Sequence, residues 1–308
     1  MMSDLSRMIV ILGPTASGKS ALGIELARHL VGEILVCDST QVYRHFDIGT
    51  AKVPHSEQRG IPHHLVDLVE PVEVFTAGDF RRHALAALED LRARNKVPIL
   101  TAGTGLYLRA LLEGLADAPV RSEELRDRIR ERAARRGPEY VHRLLTRLDP
   151  ETAARIAPRD TQKIIRALEI RLLAGKPVGD VHRAGRSPLE GYSITKIGLL
   201  PPRDDLYARI DARVEAMIAV GWIEEVRQLV AAGVPQYAKP FQFIGYSQWL
   251  AQRAGRLSLE DAVRQIQQAT RNFAKRQLTW FRKEPNVHWL PAFGDSPAAL
   301  AASLPLVS

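Results

Sequence analysis

Met8-Ile9-Val10-Ile11-Leu12, followed by Gly13-Pro14-Thr15-Ala16-Ser17-Gly18-Lys19-Ser20, decides the architecture. The first five residues are an apolar run rich in β-branched side chains, the pattern of a strand buried on both faces. The next eight fit the G-x-x-x-x-G-K-[ST] phosphate-binding pattern. Its glycines let the backbone curl until successive N–H groups point inward as an anion nest. The helix that follows adds the partial positive charge of its N-terminus. Lys19 contributes a full charge, and the Ser20 hydroxyl is placed to ligate magnesium. Leu22, Leu26 and Leu30 then recur on one helical face. Strand, loop and helix together point to a diphosphate or triphosphate held at the carboxyl end of a strand.

Two more short strands lie downstream, each running into a polar cluster. Ile34-Leu35-Val36-Cys37 leads into Asp38-Ser39-Thr40-Gln41, and Val97-Pro98-Ile99-Leu100 leads into Thr101-Ala102-Gly103-Thr104-Gly105. Phe80 to Arg94 between them has the pattern of an amphipathic helix. This alternation predicts an α/β fold, a P-loop-type doubly wound, mostly parallel sheet whose ligands sit beyond the carboxyl ends of its strands. Asp38 has three open readings there: a magnesium ligand closing a strand, a general base facing the crevice, or a cap on its own turn. Thr104 either faces the same crevice or satisfies its own turn. The adjacent His63 and His64 have no third ligand at suitable spacing, which gives them a structural role.

Composition bounds the rest. The chain has 308 residues, 45% hydrophobic and 25% charged, which excludes wholesale disorder and suggests about two domains. Its net charge of +8 favours a polyanionic partner. Cys37 is the single cysteine, which rules out an intrachain disulfide and a cysteine zinc site and suggests a small buried residue. No run approaches the ~18 apolar residues of a membrane span, and a cytoplasmic protein is expected.

The character changes near Asp117. Arg121 to Glu190 holds 17 Lys or Arg against 11 Asp or Glu, +6 of the total +8, at helical spacing with little strand signal. We therefore expect a helical, basic insertion domain over 117–190 within a core formed by 1–116 and 191–308. Ile194 to Leu200 reads as a strand returning to that core, Asp204 to Lys283 as several helices, and the tail after Pro291 as loosely held. At 100° per residue, Arg271, Lys275 and Arg282 share one helical face, with Phe273 and Trp280 near the other side. Such a face either offers charge to phosphates or is merely solvated.

Taken in order, these residues resemble the tRNA dimethylallyltransferases (tRNA isopentenyltransferases) over nearly the whole chain. The resemblance is carried by Gly13–Ser20, Asp38–Tyr43, Asp47–Lys52, Gly60–His64, Gly103–Tyr107, Asp160–Glu169, Arg209–Val214, Ile244–Tyr246 and Thr270–Arg282. Ala157, where the family commonly has His, and Thr101-Ala102, where it has Val-Gly, depart from the pattern. The resemblance implies transfer of a dimethylallyl group from dimethylallyl diphosphate to N6 of the adenine at tRNA position 37. It implies Asp38 as base, with Lys19 and Gly13, Pro14, Thr15, Ala16, Ser17, Gly18 and Ser20 around the diphosphate. Arg213 reaches the diphosphate from the other side, and Thr104 contacts the base or the bridging oxygen. Mg2+ is the implied cofactor, with Ser20 as its ligand. The implied tRNA contacts are Asp38, Ser39, Thr40, Gln41, Thr104, Arg126, Gln162, Lys163, Ile164, Ile165, Arg166, Gln242, Phe243, Ile244, Gly245, Tyr246 and Ser247. The partners are then the anticodon stem-loop and dimethylallyl diphosphate, with no membrane and a monomeric chain. Two alternatives stand beside it, an adenylate isopentenyltransferase acting on free nucleotide and a small-molecule P-loop kinase.

Overall fold

The apolar run Met8 to Leu12 is fully buried and forms the core of β1 (Ser6–Leu12) in the computed structural model, which describes residues 5–116, 118–183 and 187–307. The boundary expected at Asp117 lies outside these described residues. Contacts divide the chain into two compact units, Met1–Leu111 with Glu190–Ser308, and Leu112–Leu189.

In the first unit, β1 is joined by β2 (Gly32–Cys37), β3 (His63–His64), β4 (Val97–Ala102), β5 (Tyr192–Leu199) and β6 (Val287–Leu290). They form one sheet of order β3-β2-β4-β1-β5-β6, parallel throughout. Leu12 and Cys37 both lie opposite Ala102, so β1, β2 and β4 end at one level. Gly13, Asp38 and Gly103 therefore leave the sheet side by side. The strand order turns at β1, and its carboxyl end is where such a sheet opens a crevice.

The helix Lys19–Leu30 packs Leu22, Ile24 and Leu26 against Ile9, Ile11, Ile34 and Ile99. Thr101, one of the departures from the family pattern, is buried in β4 with its methyl close against Gly23 of that helix. A second core gathers Phe46, Trp222, Phe241, Tyr246 and Trp249, with Ala262 and Ile266 of the helix Leu259–Phe281.

Two short edge strands escaped the sequence pattern. β3 is only two residues long, and its His64 Nε2 sits 2.7 Å from Glu33 Oε2. Arg94 grips the same carboxylate at 2.5 and 2.9 Å. The Arg94 hydrogen bond outweighs burial and, with His64, holds the Glu33 carboxyl down to about 2. His64 is thus a structural partner. Among the described residues no group of three or more His, Cys, Asp or Glu could hold a metal ion.

The tail after Pro291 is not loosely held, as its composition suggested. Pro297–Val307 is a helix that buries Ala299, Ser303 and Val307, and it packs Leu300, Leu304 and Val307 against the sheet core. Arg7 fastens its end by donating to the Val307 carbonyl at 2.6 Å. The Ala-, Pro-, Ser- and Leu-rich composition that suggested a loose tail belongs to an apolar helix. Among the described residues no helix is long and apolar enough to cross a membrane.

The second unit contains helices Glu123–Arg136, Pro138–Leu148, Pro150–Ala154, Thr161–Ala174 and Val178–Arg183. Side-chain oxygens of Ser122, Asp149 and Asp160 cap three of them, each accepting from a backbone N–H three residues on. Ile129, Val141, Leu145, Ile164 and Leu168 form its core.

Candidate active site

The phosphate loop is shaped by positions that only a glycine suits. Gly18 has φ +87°, and a Cβ there would lie 2.7 Å from the backbone nitrogen of Gly294. Gly294 N–H donates to the Ser17 carbonyl at 2.8 Å, so the turn through Phe293 closes against the loop. Arg209 holds that turn with two 2.8 Å hydrogen bonds to Asp295. Ala16 adopts a left-handed φ of +62°, and Ser17 Oγ is buried beside Gly13 with no hydrogen-bond partner among the described residues. Beyond Gly18 the helix N-terminus presents the amides of Lys19 and Ser20 with no side-chain cap.

Lys19 is turned into the loop, donating from Nζ to the carbonyls of Gly13 at 3.0 Å and Pro14 at 2.8 Å. Burial pushes its ammonium down to about 8, against the pull of Asp38 and with a further push from Arg213. Arg213, on the helix Arg203–Ala219, is lowered by burial and by Arg209, while Asp38 opposes both. Lys19, Arg213 and Asp38 therefore lie within one electrostatic neighbourhood.

At the ends of β2 and β4, Cys37 O accepts the backbone N–H groups of Gly103 and Thr104 at 3.0 and 3.1 Å, tying the loop after β4 to the end of β2. Thr104 Oγ1 accepts from Ser39 N at 3.0 Å and donates to Ser39 Oγ at 3.2 Å. Asp38 Oδ1 accepts from Thr40 N at 2.8 Å and Thr40 Oγ1 at 2.7 Å. The turn reading of Asp38 therefore holds for one oxygen. The other, Oδ2, lies beside Gly103, where a Cβ would stand 2.6 Å away. Cys37 is fully buried beneath, and burial, with Asp38 adding, pushes its thiol up.

A nest for a polyanion facing a carboxylate on a parallel sheet is common to several enzyme families, and comparison with known proteins separates them. Residues 41–284 match the family model described as IPP transferase. A tRNA dimethylallyltransferase of Solibacter usitatus is 50% identical over 290 residues, 94% of each chain. The enzyme of that description from Koribacter versatilis is 48% identical over 300 residues, 97% of each. The chain belongs to the IPP transferase family. Among solved structures, the tRNA isopentenylpyrophosphate transferase of Bacillus halodurans superposes with TM-score 0.68 at 37% identity, covering 92% of this chain and 89% of that one. A eukaryotic dimethylallyltransferase acting on tRNA gives TM-score 0.80 at 27% identity, covering 97% and 78%. The fold is thus that of an IPP transferase, and the chain is a prenyl-transferring enzyme.

Several positions that the resemblance gave to tRNA are committed elsewhere. Ile164 and Ile165 are buried in the core of the second unit, because the helix Thr161–Ala174 turns its apolar face inward. Tyr246 is fully buried and donates to Glu225 Oε1 at 2.6 Å, while Glu225 Oε2 accepts from Asp47 N and Ile48 N. Gly245 is also enclosed, with Trp222 occupying the space of any side chain there. Arg126 is locked onto Glu169 at 2.8 and 2.9 Å, and Arg166 joins it at 2.5 Å. The side chains of Ile164, Ile165 and Tyr246 thus face the interior, while Arg126 is half-buried and paired with Glu169. Gln41 is turned inward onto the Thr50 carbonyl at 3.1 Å.

Gln162, Lys163 and Gln242 remain exposed, and Phe243, Ile244 and Ser247 are half-buried. The cationic face on the helix Leu259–Phe281 is also revised. Arg271 pairs with Asp211 at 2.5 and 2.6 Å, whereas Lys275, Arg276, Arg282 and Lys283 are exposed. The sequence offered no signal for Gln277, which is buried between the two halves of the site. Nor did it foretell the Arg209–Asp295 pair.

Proposed function

We propose that this chain transfers a dimethylallyl group from dimethylallyl diphosphate to N6 of the adenine at tRNA position 37, beside the anticodon. What supports the reading is Lys19 turned into the phosphate loop, within electrostatic reach of Arg213 and Asp38, with Asp38 Oδ2 beside Gly103 at the end of the neighbouring strand. Each component has a matching task. The allylic carbon–oxygen bond breaks, and its electron pair leaves with the diphosphate. The N6 lone pair forms the new carbon–nitrogen bond, and the N6 proton passes to Asp38. That lone pair is delocalised into the purine ring, so attack needs the proton accepted as the bond forms. The amides of Gly18, Lys19 and Ser20, with the charges of Lys19 and Arg213, oppose the charge growing on the leaving group. Thr104, held against Ser39, orients the base.

The donor set also suits magnesium. With no protein cluster of three or more acidic, His or Cys ligands among the described residues, the ion would be carried by the diphosphate, with Ser20 as its protein ligand. When bound, it neutralises charge on the departing diphosphate.

Adenine stacked in an anticodon loop must be flipped out to reach Asp38, at a cost of a few kcal/mol. We assign the offsetting contacts to Ser39, Thr40, Thr104, Gln162, Lys163, Gln242, Phe243, Ile244 and Ser247, with a monomer as the acting species. Lys163 is exposed and pairs at 2.5 Å with Asp160, the cap of its own helix. Lys163→Glu is therefore expected to weaken tRNA binding and reduce the log–log salt slope by about 0.7. Equal slopes for the two proteins in a filter-binding titration would remove Lys163 from the interface.

Labelled dimethylallyl diphosphate offered with tRNA, AMP or ATP tests the whole reading. Label is expected in tRNA, at the adenine beside the anticodon. Label in AMP alone would make the chain an adenylate isopentenyltransferase, and phosphate transfer from ATP without prenyl transfer would make it a kinase.

A further inference from the structure

Gln277 is a buried polar residue on the helix Leu259–Phe281, and both ends of its amide are used. Oε1 accepts from Thr15 N at 2.7 Å, and Nε2 donates to the Gly103 carbonyl at 2.8 Å. Thr15 belongs to the phosphate loop. Gly103 precedes Thr104, and a Cβ placed on it would stand 2.6 Å from Asp38 Oδ2 and 3.8 Å from Gln277 Nε2. One side chain therefore spans the gap between the anion nest and the carboxylate. Its two partners differ in kind, an N–H on one side and a C=O on the other. Only a group carrying both a donor and an acceptor satisfies them.

We propose that Gln277 is a positioning residue that sets the separation between the phosphate loop and the Asp38–Thr104 side of the crevice. It also occupies the Thr15 N–H, so the leaving group is received by the remaining loop amides and Lys19. This inference rests on the reading of the loop as the diphosphate site.

Gln277→Glu tests it through pH. As a carboxylate the new side chain accepts from Thr15 N but gives Gly103 O no donor, and it sets a negative charge beside the nest. As a neutral acid its O–H donates to Gly103 O and its C=O accepts from Thr15 N, which restores the original pattern. Asp38 after β2, Lys19 on the loop, Arg213 on its helix and Cys37 beneath Gly103 face this region, while Lys275 and Arg276 on the same helix are exposed. Expressing affinity as a ratio to wild type at each pH cancels the titration of the probe, and Gln277→Met, which adds no charge, reports what the loss of the two hydrogen bonds alone does at each pH.

With inorganic pyrophosphate and magnesium in a calorimeter, Gln277→Glu is expected to bind about 10-fold or more weakly than wild type at pH 8. At pH 5.5 the difference should shrink to within about threefold. Gln277→Met, similar in size and unable to make either bond, is expected to lose about 10-fold at both pH values. Gln277→Met binding as tightly as wild type, or a folded Gln277→Glu with a pH-independent defect, overturns the positioning role. Should Gln277→Glu fail to fold, Gln277→Met decides alone. Wild type failing to bind pyrophosphate would instead overturn the diphosphate reading.

Discussion

Asp38→Asn is expected to lower the single-turnover prenylation rate by about 10²–10⁴-fold while leaving tRNA affinity nearly unchanged. Asparagine is the informative replacement because its carbonyl can still accept from Thr40 N and Thr40 Oγ1, so the turn survives. Only the proton-accepting capacity of the crevice-side oxygen is lost. A structural role for Asp38 predicts the reverse, a near-normal rate with Asn and a loss with Ala, which breaks the turn. Rapid-quench measurement with enzyme in excess over tRNA separates the two. A rate within about threefold of wild type for Asp38→Asn would dismiss it as the base.

The parts of this site that were legible in the sequence are those whose geometry is made locally. Gly13 to Ser20 curls by its own glycines, and Asp38 and Thr104 follow directly from apolar strands that pair side by side. Contacts between distant segments left no such trace. Gln277 meets Thr15 and Gly103 across 262 and 174 residues, within a stretch whose helical period drew attention to charge instead. Arg271 was indistinguishable from Lys275 by spacing, yet Asp211, 60 residues away, pairs with it.

The strands β3 and β6 were missed because two to four residues give too little alternation to register. Paired arginines misled for a related reason. Composition counts charge but not whether a carboxylate has already claimed it.

Glu169 shows what such a claim is worth. It is fully buried in the second unit and accepts from Arg126 at 2.8 and 2.9 Å, Arg166 at 2.5 Å and Ser122 N at 2.7 Å. Burial alone would raise its carboxyl, but the two guanidinium groups and the Ser122 N–H outweigh it and hold the group down to about 2. Glu169→Ala leaves Arg126, whose side chain is only 12% exposed, without its partner. Breaking a buried pair in this way costs about 3–5 kcal/mol. That is a large part of the ~5–15 kcal/mol that stabilises a typical domain.

The loss should be local, accelerating amide exchange at Ile164 to Leu168 while pyrophosphate binding by the first unit persists. The pH dependence has a fixed sign. Because the folded value lies below the ordinary carboxyl value of ~4.3, the stabilisation is complete above that pH and is lost as pH falls toward 2. Wild type and Glu169→Ala should therefore differ most in exchange at neutral pH and converge in acid. Exchange in Ile164–Leu168 slowed or unaltered by the substitution at pH 7 would mean that the two arginines find other partners, and that the triad does not hold this unit together.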